Sequence, residues 1–325
     1  MYNEKQKLDF ISSYTTSVKT ANLLKQIFNR TEFYENKYGN DLSQATAEQI
    51  QEYFDNQSKG IRSATNELTL KMITNYVTWC SEKGLPISDG VYNVKLSTIE
   101  IAKQVMVSSP LHLKERLDEY FDSPDDNTID ITYRVFLWMA FAGLKDVDAI
   151  RVEAKNVDLD NLLIHFEGHD YELYKEAKED FNKACNLLSF TYTHAGKLYY
   201  KQSRSRADGD NIMRGFRTSQ PELLTLRPVI NKALSQTKLE RESKQNIDKN
   251  KARISYHKLR LSGVFYRQRK LEIDGYKVDF SALVAQEMQE KQYSFSRTRT
   301  PCVVANFLAK NYMNDYITWK CAFPL

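Results

Sequence analysis

Cysteine is scarce in this chain of 325 residues. Cys80, Cys185, Cys302 and Cys321 stand far apart, with no CxxC pair and no Cys/His cluster, so neither a disulfide framework nor a zinc site is expected. No cofactor is implied, and a reducing cytoplasm is the compartment that this cysteine usage fits. Long apolar runs are lacking too. No window approaches the ~18 residues of a membrane span, and the first ten residues, MYNEKQKLDF, hold no apolar core of a signal peptide, so no membrane partner is expected. Only 11 Gly and 7 Pro interrupt the chain, which leaves room for long helices.

What is present is a globular composition, 42% hydrophobic and 27% charged, in a chain long enough for two domains. Apolar residues recur at spacings of three and four, which predicts a mainly α protein. A helix is expected from about Thr15 to Lys37, with Leu23, Leu24, Ile27, Phe28 and Tyr34 as its stripe and Gly39 as its stop. Thr46 and Gln49 have the spacing of a capping box, and Leu68, Met72, Ile73, Tyr76, Trp79 and Cys80 form the next stripe. These elements define a helical bundle over residues 1–85. Pro86, Gly90 and Pro110 punctuate a linker over 86–109, and an α-rich domain is expected over 110–325. Within it, Ser109-Pro110 opens a helix, ITYRVFLWMAFAG forms a buried helix ending at Gly143, and NLLIHFEGHDYEL forms a small antiparallel sheet. Everything after Tyr174 reads as helical.

The formal net charge is +4, but it is unevenly placed. Between residues 201 and 270, eighteen Lys or Arg stand against six Asp or Glu, which leaves the rest of the chain net negative. A concentrated positive field is the footprint of a polyanion ligand. The segment ERESKQNIDKNKAR (240–253) also reads as a solvated charged loop, and charge alone does not separate the two.

Three motifs stand out. His257-Lys258-Leu259-Arg260 places His257 and Arg260 on one helix face, and a guanidinium fork suits a phosphodiester. The same pattern occurs on ordinary exposed amphipathic helices. Gly143-Leu144-Lys145-Asp146-Val147-Asp148 follows the buried helix, and Tyr312 and Tyr316 lie four apart on a helix near the C-terminus. Helical bundle, Gly-Leu turn, small sheet, HxxR box and Tyr-bearing helix, in this order along nearly the whole chain, resemble the tyrosine recombinase (phage integrase) family. The resemblance implies a core-binding (SAM-like) N-terminal bundle that grips DNA and an integrase-like C-terminal domain. It also implies an Arg, Lys, His-x-x-Arg and Tyr site. Lys145 takes the position of the first Arg and Asp148 that of the acidic residue three on. The hairpin turn Phe166-Glu167-Gly168-His169-Asp170 holds no lysine, leaving His169, Lys175 and Lys178 as stand-ins for the general acid. No Gly-His follows the HxxR box, and Tyr312 and Tyr316 come 52 and 56 residues after Arg260, where packing is the expected role.

These departures lead to the expectation of a recombinase-like fold that binds DNA and is not an enzyme, with an active site-specific tyrosine recombinase that cleaves and rejoins DNA as the alternative. The sequence is also similar to the integrase-related lysogeny repressors of SPβ-like Bacillus phages, which implies a repressor acting on double-stranded operator DNA, with a protein antirepressor as a further partner. The expected phosphate contacts are Lys145, Arg204, Arg206, Arg214, Arg217, His257, Lys258 and Arg260. Base reading is expected from the helix after Lys59-Gly60-Ile61-Arg62, with Lys59 and Arg62 at its start and Asn66 and Lys71 on its outward side.

Overall fold

The computed structural model describes residues 1–324 except 58–62, 95, 97, 122–127, 194–200, 216–217, 244–252 and 291–299. The chain divides into two compact units, one formed by Met1–Ala102 and Val284–Pro324, the other by Lys103–Lys249 and Arg253–Leu283. The protein is mainly α. Among the described residues no helix is long and apolar enough to cross a membrane.

The first unit is built on α1 (Glu4–Tyr14), α2 (Val18–Tyr38), α3 (Ala47–Gln57) and α4 (Ser63–Glu82). Their apolar stripes converge, burying Phe10, Leu24, Ile27, Phe28, Ile50, Phe54, Ile73, Tyr76 and Val77. Gly39, at φ 68°, closes α2 in the left-handed conformation that glycine adopts without strain. The Thr46/Gln49 capping box forms: Thr46 N donates to Gln49 Oε1 at 3.0 Å, and Gln49 N to Thr46 Oγ1 at 3.4 Å. Helix α1 has no clear stripe in the sequence, because Lys7 sits among its core positions. The Lys7 ammonium is fully buried and paired with Glu35 of α2, whose carboxylate also accepts from the Leu42 amide at 2.8 Å.

The second unit begins within α5 (Thr98–Val105) and continues through α6 (Pro110–Tyr120), α7 (Thr128–Ala142) and the single turn α8 (Asp146–Ala149). Ser109 caps α6 by accepting from the His112 amide at 3.1 Å, with Pro110 in the first turn. Helix α7 is buried on nearly every side and forms the spine of this unit. Its Arg134 and Trp138 converge on the buried Asp180 carboxylate at 2.9–3.0 Å, which locks it to α9 (Lys178–Asn186). Between α8 and α9 lies an antiparallel sheet of β1 (Val157–Asp158), β2 (Leu163–Phe166) and β3 (His169–Glu172), turned by Glu167 and Gly168, both at positive φ.

One expectation fails here. Residues after Tyr174 are not all helical: β4 (Ser189–Thr193) and β5 (Lys201–Ser205) pair antiparallel, from Ser189↔Ser205 to Thr193↔Lys201. The alternating SFTYT segment carries the β-branched and aromatic residues of a strand, and Thr128 Oγ1 anchors its edge by accepting from the Thr191 amide at 2.6 Å. Helices α10 (Leu223–Ala233), α11 (Lys238–Glu242) and α12 (Tyr256–Ile273) follow; α13 (Ser281–Glu290) runs into the first unit, and α14 (Pro301–Ala322) packs there.

Candidate nucleic-acid interface

The site is built where α7 ends. A helix C-terminus leaves carbonyls without intrahelical partners and carries partial negative charge. In this chain α12 supplies the donors. Arg267 Nη1 donates to Phe141 O at 2.8 Å, Arg260 Nε to Gly143 O at 3.0 Å, and the Tyr256 hydroxyl to Leu144 O at 3.0 Å. The two helices approach closely because Gly263 has no side chain: a Cβ there would lie 1.8 Å from Phe141 O. Gly143 turns the chain at φ 114°, and Lys145 then caps α8, its carbonyl accepting from the Ala149 amide at 2.8 Å.

This junction gathers charge. Lys145, Arg260 and Asp148 are half-buried together, and His257 is exposed one turn before Arg260. Arg151 pairs with Glu167 of the hairpin at 2.7 Å and lies 3.9 Å from Asp148. Arg227 of α10 donates through Nε to Asp146 Oδ2 at 2.7 Å. Burial raises the Asp148 carboxyl above its ordinary value, with Glu167 adding to the rise and Lys145, Arg151 and Arg260 opposing it. Tyr171 of β3 faces the same group; burial and Asp148 push its phenol up while Arg260 pulls it down. Tyr256 is driven well up, first by burial. The arrangement interleaves Lys145, Arg151, Arg227 and Arg260 with Asp146, Asp148 and Glu167, and a guanidinium such as that of Arg260 is suited to phosphate oxygens.

Lys145, Asp148, His257 and Arg260 are therefore brought together, as are Arg151, Arg227 and Tyr171, which the sequence reading did not single out. Arg227 lay inside the basic window, but nothing in its spacing distinguished it from the other cations there. His169 is exposed on the hairpin. Arg204 is exposed on β5, and Lys71 on α4.

Several expected contacts are corrected. Arg206 is buried, and its guanidinium donates to the carbonyls of Ala184, Leu187, Ile212 and Arg214, so it braces the loop after β5. Arg214 is buried and donates to Asn211 O and Leu187 O. Lys258 is only 7% exposed, because it falls on the inner face of α12 between His257 and Leu259. Asn66 is only 4% exposed rather than outward on α4. Lys59, Arg62 and Arg217 lie outside the described residues. Tyr312 and Tyr316 are buried in the first unit: the Tyr312 hydroxyl donates to Glu287 of α13, and Tyr316 stacks on Trp319. Among the described residues no group of His, Cys, Asp and Glu could hold a metal ion.

Residues 1–82 match the family described as MrpR, N-terminal core-binding domain, so the chain carries a core-binding domain at its N-terminal end. No curated protein sequence matches. Two solved structures are similar in fold. One is the crystal structure of XerA recombinase, at 11% identity and a TM-score of 0.38, covering 99% of this chain and 98% of that one. The other is a lambda integrase (75–356) dimer bound to a COC′ core site, at 12% identity and a TM-score of 0.30, covering 91% of this chain and 96% of that one. This finding corrects the expectation that the chain is not an enzyme: the proteins similar to it in structure are a recombinase and an integrase. Lysine at position 145 and a hairpin without lysine do not by themselves define an inactive protein.

Proposed function

We propose that the chain is a sequence-specific double-stranded DNA-binding protein of recombinase-like architecture that acts as a transcriptional repressor of prophage genes. The observation that carries DNA binding is the convergence of Lys145 and Arg260, with exposed His257 beside them, at the α7–α12 junction. Cations gathered at one place, with a guanidinium oriented by a backbone carbonyl, fit the regularly spaced phosphates of a duplex. Arg204 and Lys71, both exposed, are further candidate contacts. The match of residues 1–82 to a core-binding domain supports the same reading, since the tyrosine recombinase resemblance gives that bundle the task of gripping DNA. The repressor role rests on the resemblance of the whole sequence to integrase-related lysogeny repressors.

Genome-wide mapping of DNA bound by the tagged protein in a lysogenic host tests this reading. Enrichment at a few discrete operator sites ahead of phage genes, with transcription of those genes rising when the protein is removed, is the expected result. Uniform recovery of DNA, or unchanged phage transcription, contradicts it.

A further inference from the structure

Arg227 sits on α10, 81 residues from its partner in sequence, yet its guanidinium closes on the Asp146 carboxylate through Nε and Nη2 together. Its side chain remains 51% exposed, whereas that of Asp146 is 21% exposed. The two ends of the pair are held differently. Asp146 is fixed, because its other oxygen, Oδ1, accepts from the Val147 amide at 2.9 Å at the start of α8. Arg227 is held at its guanidinium by that carboxylate, on a helix face open to solvent.

Asp146 follows Lys145 directly in the chain, and the fields of Asp146, Asp148 and Arg260 all act on Tyr256. Arg227 is therefore part of the same charged surface as Lys145 and Arg260. A carboxylate and a phosphodiester offer a guanidinium the same kind of acceptor geometry. A solvent-exposed pair is weak, while each phosphate contact gains from the release of condensed counter-ions. Exchange of one anion for the other is then favourable whenever a duplex lies on this surface.

We propose that Arg227 is a further phosphate-contacting residue and that Asp146 holds it as an exchangeable counter-ion until backbone phosphate takes its place. This rests on the DNA-binding reading above and deepens it. The exchange keeps Arg227 aimed at the duplex. It also sets the strength of non-specific binding, because a contact with any DNA has first to displace Asp146.

The test is an equilibrium titration of the full chain with a fluorescent ~25-base-pair duplex of arbitrary sequence between ~50 and ~200 mM salt, the range over which phosphate contacts declare themselves. Four proteins are compared with Arg260→Ala: wild type, Asp146→Asn, Arg227→Ala and the double variant. Asn keeps an oxygen for the Val147 amide, so α8 stays capped. Asp146→Asn is expected to bind about two- to fivefold more tightly, the size of one exposed ion pair. Arg227→Ala is expected to flatten the slope of log K against log salt by about 0.9. In the Arg227→Ala background the gain from Asp146→Asn is expected to vanish. A gain that persists there assigns Asp146 a general repulsion and overturns the exchange, as does an unchanged salt slope in Arg227→Ala. If wild type binds the duplex without salt dependence and Arg260→Ala binds equally, the DNA-binding reading itself fails and the exchange falls with it.

Discussion

At the scale of single residues, burial separates the cations proposed to meet phosphate from the cations that hold the fold. Arg260 is half-exposed, with one donor committed to Gly143 O. Replacement by Ala is expected to cost about 1.5–3 kcal/mol of duplex affinity, the worth of a charge-assisted contact, with little loss of thermal stability. Equal affinity in anisotropy titrations would remove Arg260 from the surface. Arg206 is the opposite case. Arg206→Ala leaves four carbonyls short of a donor and is expected to lose at least about 3 kcal/mol of stability by denaturant unfolding, since each unsatisfied buried acceptor costs ~1–3 kcal/mol. A variant as stable as wild type would contradict the bracing role. Asp148 adds a pH signature. Its carboxyl is raised by burial, so the folded protein holds that proton more tightly than the unfolded chain. The stability it contributes is present below the ordinary value of 3.8 and is lost as pH rises through the raised value. Asp148→Asn is expected to flatten the fall in stability from 3.8 upward, whereas parallel profiles for the two proteins would reject it.

At the scale of elements, the α7–α12 contact positions the site. Gly263→Ala places a methyl carbon 1.8 Å from Phe141 O, and overpacking against backbone cannot relax as it does against a flexible side chain. The expected result is a loss of stability beyond about 3 kcal/mol together with loss of duplex binding. A stable, binding variant would show that the helices tolerate separation. Much of this architecture is legible in the sequence. Gly39, the Thr46/Gln49 box, Ser109-Pro110 and Gly143 are local signals whose physics needs no distant partner, and each falls where the structure uses it. The rest depends on contacts between segments far apart in the chain. Helix α1 escapes notice because its buried Lys7 needs Glu35 from another helix. Arg206 and Arg214 read as DNA ligands because a basic window does not reveal which guanidinium meets carbonyls instead of solvent. Arg227 is hidden for the same reason, its carboxylate partner lying 81 residues away.

At the scale of the whole molecule, a formal net charge of only +4 conceals a strongly basic window over residues 201–270, and the field that steers a polyanion is local. In the proposed reading the surface acts on DNA through the number of phosphates it neutralises, which salt reports directly. The central claim is that Lys145 and Arg260 contact backbone phosphate. It is tested most directly by the salt slope of duplex binding for wild type against the Lys145→Ala/Arg260→Ala variant, titrated from ~50 to ~200 mM salt with folding checked by circular dichroism. Affinity is expected to fall steeply with salt in wild type, and the slope of the double variant to be shallower by about 0.9 for each lost contact. An identical slope in the two proteins, or binding indifferent to salt, would contradict the account.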